Sequence, residues 1–198
     1  MKSSTFNKVT ITSLLLLSLS AVQADGTQQG DQFSGNVSGY LGQKSLDDKG
    51  WSELDEQGSL GVISDFKKGS WPVSIAIDLI VSGNIEEAGS LEELGGTLET
   101  HFGVRKIFKL SNSSIQPYIG GGLAIIGASI KNKNNGSITS ESDDTSTGAY
   151  AGAGMYYSMS EHLNLGFDVR YSQADVTIFD VERKAGGLHS GITIGYHW

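Results

Sequence analysis

Gly191-Ile-Thr-Ile-Gly-Tyr-His-Trp198 closes the chain. Successive side chains of an extended strand point to opposite faces, so Ile192, Ile194, Tyr196 and Trp198 share one side and Thr193, Gly195 and His197 the other. One side is wholly apolar or aromatic, and the polypeptide stops on a ring. A soluble protein has little reason to end this way. Such a strand needs an apolar medium against one face, and aromatic rings gather where that medium meets water.

The opposite end carries a second signal. Lys2 and Lys8 form a positive region, Val9 to Leu19 is an apolar run interrupted only by hydroxyl residues, and Val22-Gln-Ala24 offers the small residues that a signal peptidase requires. A membrane anchor is the alternative, but an eleven-residue helix at about 1.5 Å per residue cannot cross about 30 Å of hydrocarbon. Residues 1–24 therefore read as a cleavable signal peptide, and 25–198 as one domain.

Composition narrows the class of that domain. With no cysteine, a lipid-anchored N-terminus, disulfides and thiolate metal sites are excluded. Nowhere after the signal are there 18 consecutive apolar residues, so no transmembrane helix is expected. Removing Lys2 and Lys8 leaves 12 basic against 22 acidic residues, a net charge of −10, and no basic stripe to neutralise nucleic-acid phosphates.

Eight segments alternate between apolar and polar residues, at about 32–42, 54–66, 71–82, 94–108, 115–130, 147–158, 162–173 and 187–198. In the third, Trp71, Val73, Ile75, Ile77, Leu79 and Val81 oppose Ser74, Ala76 and Asp78. In the seventh, Leu163, Leu165, Phe167, Val169 and Tyr171 oppose Asn164, Gly166, Asp168 and Arg170. Charge on a lipid face is costly, so Asp78, Glu99, Arg105, Asp168 and Arg170 are expected to point inward.

Short links at 67–70, 109–114 and 158–161 alternate with long ones at 43–53, 83–93, 131–146 and 174–186. An even antiparallel barrel with both ends on one side has three short turns and four longer loops in this order. Pro72 and Pro117 both fall where a strand is expected to start, where a missing backbone donor does least harm. All 27 glycines follow the signal, and runs such as Gly120-Gly-Gly122 and Gly152-Ala-Gly154 suit a narrow, strongly curved barrel. Gly122 and Gly127 have the spacing of a phosphate-binding loop, but Ala128 and Ser129 follow where its lysine would stand. The expected fold is all-β, an eight-stranded antiparallel transmembrane up-and-down β-barrel whose last strand pairs back near Phe33.

The signal peptide, the eight segments, Gln116-Pro-Tyr-Ile-Gly-Gly-Gly122, Phe167-Asp-Val-Arg-Tyr171 and the aromatic terminus together resemble the small OmpA/OmpX-like bacterial outer-membrane β-barrel family. The likeness runs from about Phe33 to Trp198, and the chain ends at the barrel, where OmpA itself continues into a peptidoglycan-binding domain. The resemblance implies an outer-membrane location. It implies lipid, lipopolysaccharide and the barrel-assembly machinery as partners, surface ligands at the loops, and Ile192, Ile194, Tyr196 and Trp198 as a C-terminal sorting strand. No cofactor is implied.

Barrels of this kind serve as structural proteins, adhesins, narrow conduits and lipid-modifying enzymes. Eight strands enclose a space just wide enough for side chains, which argues against a general diffusion pore. The inward charges read either as a paired, hydrogen-bonded plug or as an ion gate. His189 and Ser190 lie on opposite faces, and the His-x-Ser followed by Asn of lipid A deacylases is missing, so no catalytic residue is assigned. His101, His162, His189 and His197 lack metal-binding spacing. The acidic loop residues Glu86, Glu87, Glu92, Glu93, Glu141, Asp143 and Asp144 read as a solvated rim, as a bridge through divalent cations to lipopolysaccharide phosphates, or as a host contact. The fourth loop, with Ile178, Phe179 and Val181, either prolongs its hairpin or folds over the mouth. A soluble lipocalin-like barrel, with its apolar face turned inward, is the remaining rival.

Overall fold

A computed structural model describes residues 32–47 and 49–198; the expected signal peptide lies outside them. The strands are β1 (Phe33–Leu46), β2 (Glu56–Lys68), β3 (Ser74–Ala88), β4 (Leu91–Ile107), β5 (Ile115–Asn134), β6 (Ser137–Ser158), β7 (Leu163–Gln173), β8 (Asp175–Ile178), β9 (Val181–Lys184) and β10 (Gly187–His197). A 3-10 turn covers Lys49–Leu54. β1 to β7 and β10 form a closed antiparallel barrel, while β8 and β9 make a separate hairpin.

Closure follows from the terminal strand. β10 pairs with β1 from Asn36↔His197 to Leu46↔Gly187, and Gly35 and Trp198 exchange backbone hydrogen bonds of 3.1 Å at the rim. Every stave thereby has two neighbours, which leaves no edge in the apolar belt.

The apolar faces point outward. Ile75, Ile77, Leu79, Val81, Leu163, Leu165, Phe167, Ile192, Ile194 and Tyr196 are exposed, whereas Asp78, Asp168, Arg170 and Thr193 are buried. This orientation excludes the lipocalin arrangement. From Leu188 of β10 to Trp198 just past its end, ten steps of about 3.4 Å tilted by about 40° rise about 25 Å, the height of an outer-membrane apolar band. Phe33, Trp71, Phe108, Tyr157 and Trp198 are exposed around the end that carries the short turns.

Glycines inside the barrel make room for tyrosines. A Cβ on Gly191 would lie 2.6 Å from both the Leu41 carbonyl oxygen and the Tyr40 ring. Gly191→Val is expected to lower barrel stability by about 1–3 kcal/mol through overpacking, read from the urea midpoint of the refolded protein.

Several boundaries differ from the sequence expectation. Segments 83–93 and 131–146, read as loops, are the upper halves of two long hairpins that turn at Gly89 and at Asn135-Gly136. Above the membrane both faces of a strand meet polar surroundings, so the period-2 signal fades while the backbone pairing continues. Likewise Gln43 to Leu46 belong to β1, and Trp71, Pro72 and Val73 precede β3. Pro72 sits in the bend before its strand and Pro117 inside β5.

Candidate functional site

Alternation along the staves turns a set of charged and hydroxyl side chains into the bore, and every stave contributes. Near the end with the short turns, Arg105 of β4 donates through Nη1 to Asp65 Oδ2 of β2 (3.0 Å) and to Tyr156 of β6 (3.0 Å). Its Nη2 reaches Asp78 Oδ2 of β3 at 2.9 Å. The guanidinium lies 4.9 Å from the centre of the Tyr118 ring of β5, a cation–π distance.

Asp78 links this tier to the next. Arg170 of β7 donates through Nη1 to the same Asp78 oxygen (2.8 Å) and through Nε to Asp168 Oδ1 (2.7 Å). Tyr118 donates to the other Asp168 oxygen at 2.6 Å. Arg170 Nη1 also lies 3.1 Å from His101 Nδ1 of β4. Because a guanidinium only donates, this nitrogen accepts, and His101 Nε2 then carries the proton it gives to Glu99 at 2.9 Å.

Glu99 is the hub of the third tier. Besides His101 it receives His189 Nε2 of β10 at 2.9 Å and Lys44 Nζ of β1 at 2.6 Å. Lys44 reaches on to Thr97 Oγ1 (3.0 Å) and to the Ala185 carbonyl beyond β9 (2.6 Å). Asp65, Asp78, Glu99 and Asp168 thus meet Lys44, Arg105 and Arg170 in one connected network of buried groups. Buried charges persist when paired and hydrogen-bonded, and each of these is in ion-pair contact with at least one opposite charge.

All five inward charges expected from the alternation lie in this network, and Asp78 joins the two arginines directly. Lys44, Asp65, His101, His189, Tyr118 and Tyr156 complete it without having been assigned to it. Parity along each strand was the signal for most of them, since Asp65 follows buried Ile63 by two residues and His101 follows Glu99 by two. Lys44 was placed in a loop, and nothing in the sequence relates it to Glu99, 55 positions away.

Above the charges the bore ends in an apolar cap. Trp51 and Leu54 of the 3-10 turn pack with Val176 and Ile178 of β8, Ala185, and the inner residues Ile126 and Ile130 of β5. Trp51 Nε1 donates to the Lys184 carbonyl at 2.8 Å, and the Arg183 guanidinium lies 6.0 Å from the Trp51 ring centre. The β8–β9 hairpin therefore folds over the mouth. Two backbone N–H groups fasten it to β6, Thr177 to Asp144 Oδ2 (2.7 Å) and Phe179 to Ser142 Oγ (3.0 Å). The N–H groups of Thr177 and Thr145 hold the Asp144 carboxyl below its ordinary range. That contribution is present at neutral pH and is lost as pH falls through the lowered value.

The opposite mouth stays open. A cavity of about 310 Å³ there is lined by Asn36, Asp65, Lys67, Gln116, Asn164 and His197 among others, and ends at the Arg105 tier. Across its floor, Asn164 Nδ2 donates to Asn36 Oδ1 at 2.6 Å and lies 3.2 Å from His197 Nδ1.

Solved structures share this architecture. Neisserial surface protein A is 20% identical, with 85% of this chain and 97% of that chain covered and a TM-score of 0.55. Ail of Yersinia pestis, solved with the heparin analogue sucrose octasulfate, is 11% identical, with 85% and 99% covered and a TM-score of 0.53. No curated protein sequence matches the chain. A family model described as the outer membrane protein beta-barrel domain matches residues 11–198. With its outward apolar belt, inward charges and a match over nearly its whole length, the chain belongs to the outer membrane protein β-barrel family and resides in the outer membrane.

Proposed function

We propose that the protein is a closed outer-membrane scaffold, structural or interactive in role, that presents its outer hairpins at the cell surface and passes no solute. The observation that carries this reading is the double closure of the bore, a connected network of ion pairs and hydrogen bonds from Asp65 through His101 to Lys44 beneath an apolar cap built on Trp51 and Val176. Its lipid partners are the phospholipid and lipopolysaccharide leaflets. The strand bearing Ile192, Ile194, Tyr196 and Trp198 serves the barrel-assembly machinery as a sorting signal. No side chain is assigned a catalytic role, because the buried imidazoles of His101 and His189 are held by Glu99 inside the bore.

The heparin analogue bound by Ail is a polyanion. Segments 43–53, 83–93, 131–146 and 174–186 of this chain hold thirteen acidic against six basic residues, so sulfated glycans are disfavoured here and cationic surfaces preferred.

Planar bilayers test the closure. The reconstituted wild-type barrel is expected to give no discrete conductance steps. Steps that Arg170→Ala or Asp168→Asn abolish would overturn the plug and assign the network as the gate of a narrow conduit.

A further inference from the structure

Two hairpins on the outer side turn through two residues in the left-handed region, and they do so with different chemistry. β5–β6 uses Asn135 (φ 49°) and Gly136 (φ 76°), the pair this geometry favours. β8–β9 uses Phe179 (φ 51°) and Asp180 (φ 62°) between the paired residues Ile178 and Val181. A bulky aromatic with positive φ is a steric outlier, and such strain persists where the surroundings impose it and function uses it.

The surroundings here impose it firmly. Val176 and Ile178 are buried in the cap, and the N–H groups of Thr177 and Phe179 are fixed to β6 by Asp144 and Ser142. The Phe179 side chain itself does no comparable packing. It stays 40% exposed, and Val181 two residues on is 52% exposed, at the tip of the cap hairpin. Exposed Asp180 and Glu182 flank the pair at the tip, while Arg183 turns inward over Trp51 and the exposed Lys184 sits opposite Asp175 at the base of the hairpin.

We infer that Phe179 and Val181 form a preorganised apolar anchor for a partner protein, one whose surface carries an apolar pocket ringed by basic side chains. A rigid aromatic loses little conformational freedom on docking, and its acidic collar selects the sign of charge around the pocket. This rests on the surface-interaction reading above and names the surface concerned.

The test is selection of a phage-displayed ankyrin-repeat library, with randomised concave faces, on the full barrel in lipid nanodiscs. Enriched clones are expected to combine apolar with Lys and Arg residues, to weaken with added salt, and to bind the double variant Phe179→Asn with Asp180→Gly at least tenfold less tightly. That variant installs the favoured turn pair, so its heat-dependent gel shift should equal or exceed wild type. Val181→Ser, which leaves the turn intact, should weaken the same clones. Clones that bind wild type and both variants equally, or that spread evenly over the other outer hairpins, would overturn the anchor. The surface reading would survive that outcome, because it fails only in the bilayer experiment.

Discussion

Arg170→Ala is expected to lower the stability of the folded barrel by about 3–5 kcal/mol, the cost of leaving buried carboxylates without their cation. Arg170 donates to Asp78 and Asp168 and touches His101, so its removal strips one tier and loosens the two beside it. Asp78 keeps Arg105, but among the described residues Asp168 is left with the Tyr118 hydroxyl and no cation in ion-pair contact. The urea midpoint in detergent micelles and the temperature of the gel-mobility shift both report the loss. Arg170→Met combined with Asp168→Asn should recover part of it, because removing both members of a buried pair costs less than stranding one. A single-variant loss below about 1 kcal/mol would mean that water reaches the bore and screens these charges.

Trp51→Ala is expected to release the cap without unfolding the staves. The indole is 1% exposed and bonded to Lys184, and truncating a buried tryptophan costs about 3–5 kcal/mol. Since the hairpin is held by this core, by its contacts to β6 and by the Lys44 bond to the Ala185 carbonyl at its foot, the cost falls on local opening. Amide exchange at Thr177 and Phe179 should accelerate at least about a hundredfold, while exchange in the belt of β7 stays slow. The two closures stand in series along one bore. Trp51→Ala alone should therefore remain silent in planar bilayers, and only its combination with Arg170→Ala should give current steps. Current from Trp51→Ala alone would show that the ion-pair network leaks.

Particular residues show how far the sequence could be read. Ile75, Ile77 and Leu79 against Ala76 and Asp78 gave both the strand and its orientation, because a lipid face and a polar bore impose opposite demands at alternate positions. The same rule fell silent at Glu86, Glu93 and Asn132, above the membrane, where β3 to β6 continue in a medium that is polar on both sides. There the strongest remaining signal was local, Asn135-Gly136, a hairpin pair that the loop assignment passed over. Trp51 carried no signal. A lone aromatic in a charged loop reads as exposed, and only the fold-over of β8–β9 gives it a core.

The sequence by itself determined the address, the count of eight barrel staves, the outward faces of β3, β7 and β10 and the inward turn of Asp78, Glu99, Arg105, Asp168 and Arg170, because these depend on period-2 alternation and on end signals that are local in the chain. The tertiary structure alone decided which charges meet and whether the outer mouth is shut. Lys44 and Glu99, or Trp51 and Lys184, become partners only when closure and loop packing bring separate staves within about 3 Å, and no local pattern encodes a distance across the bore.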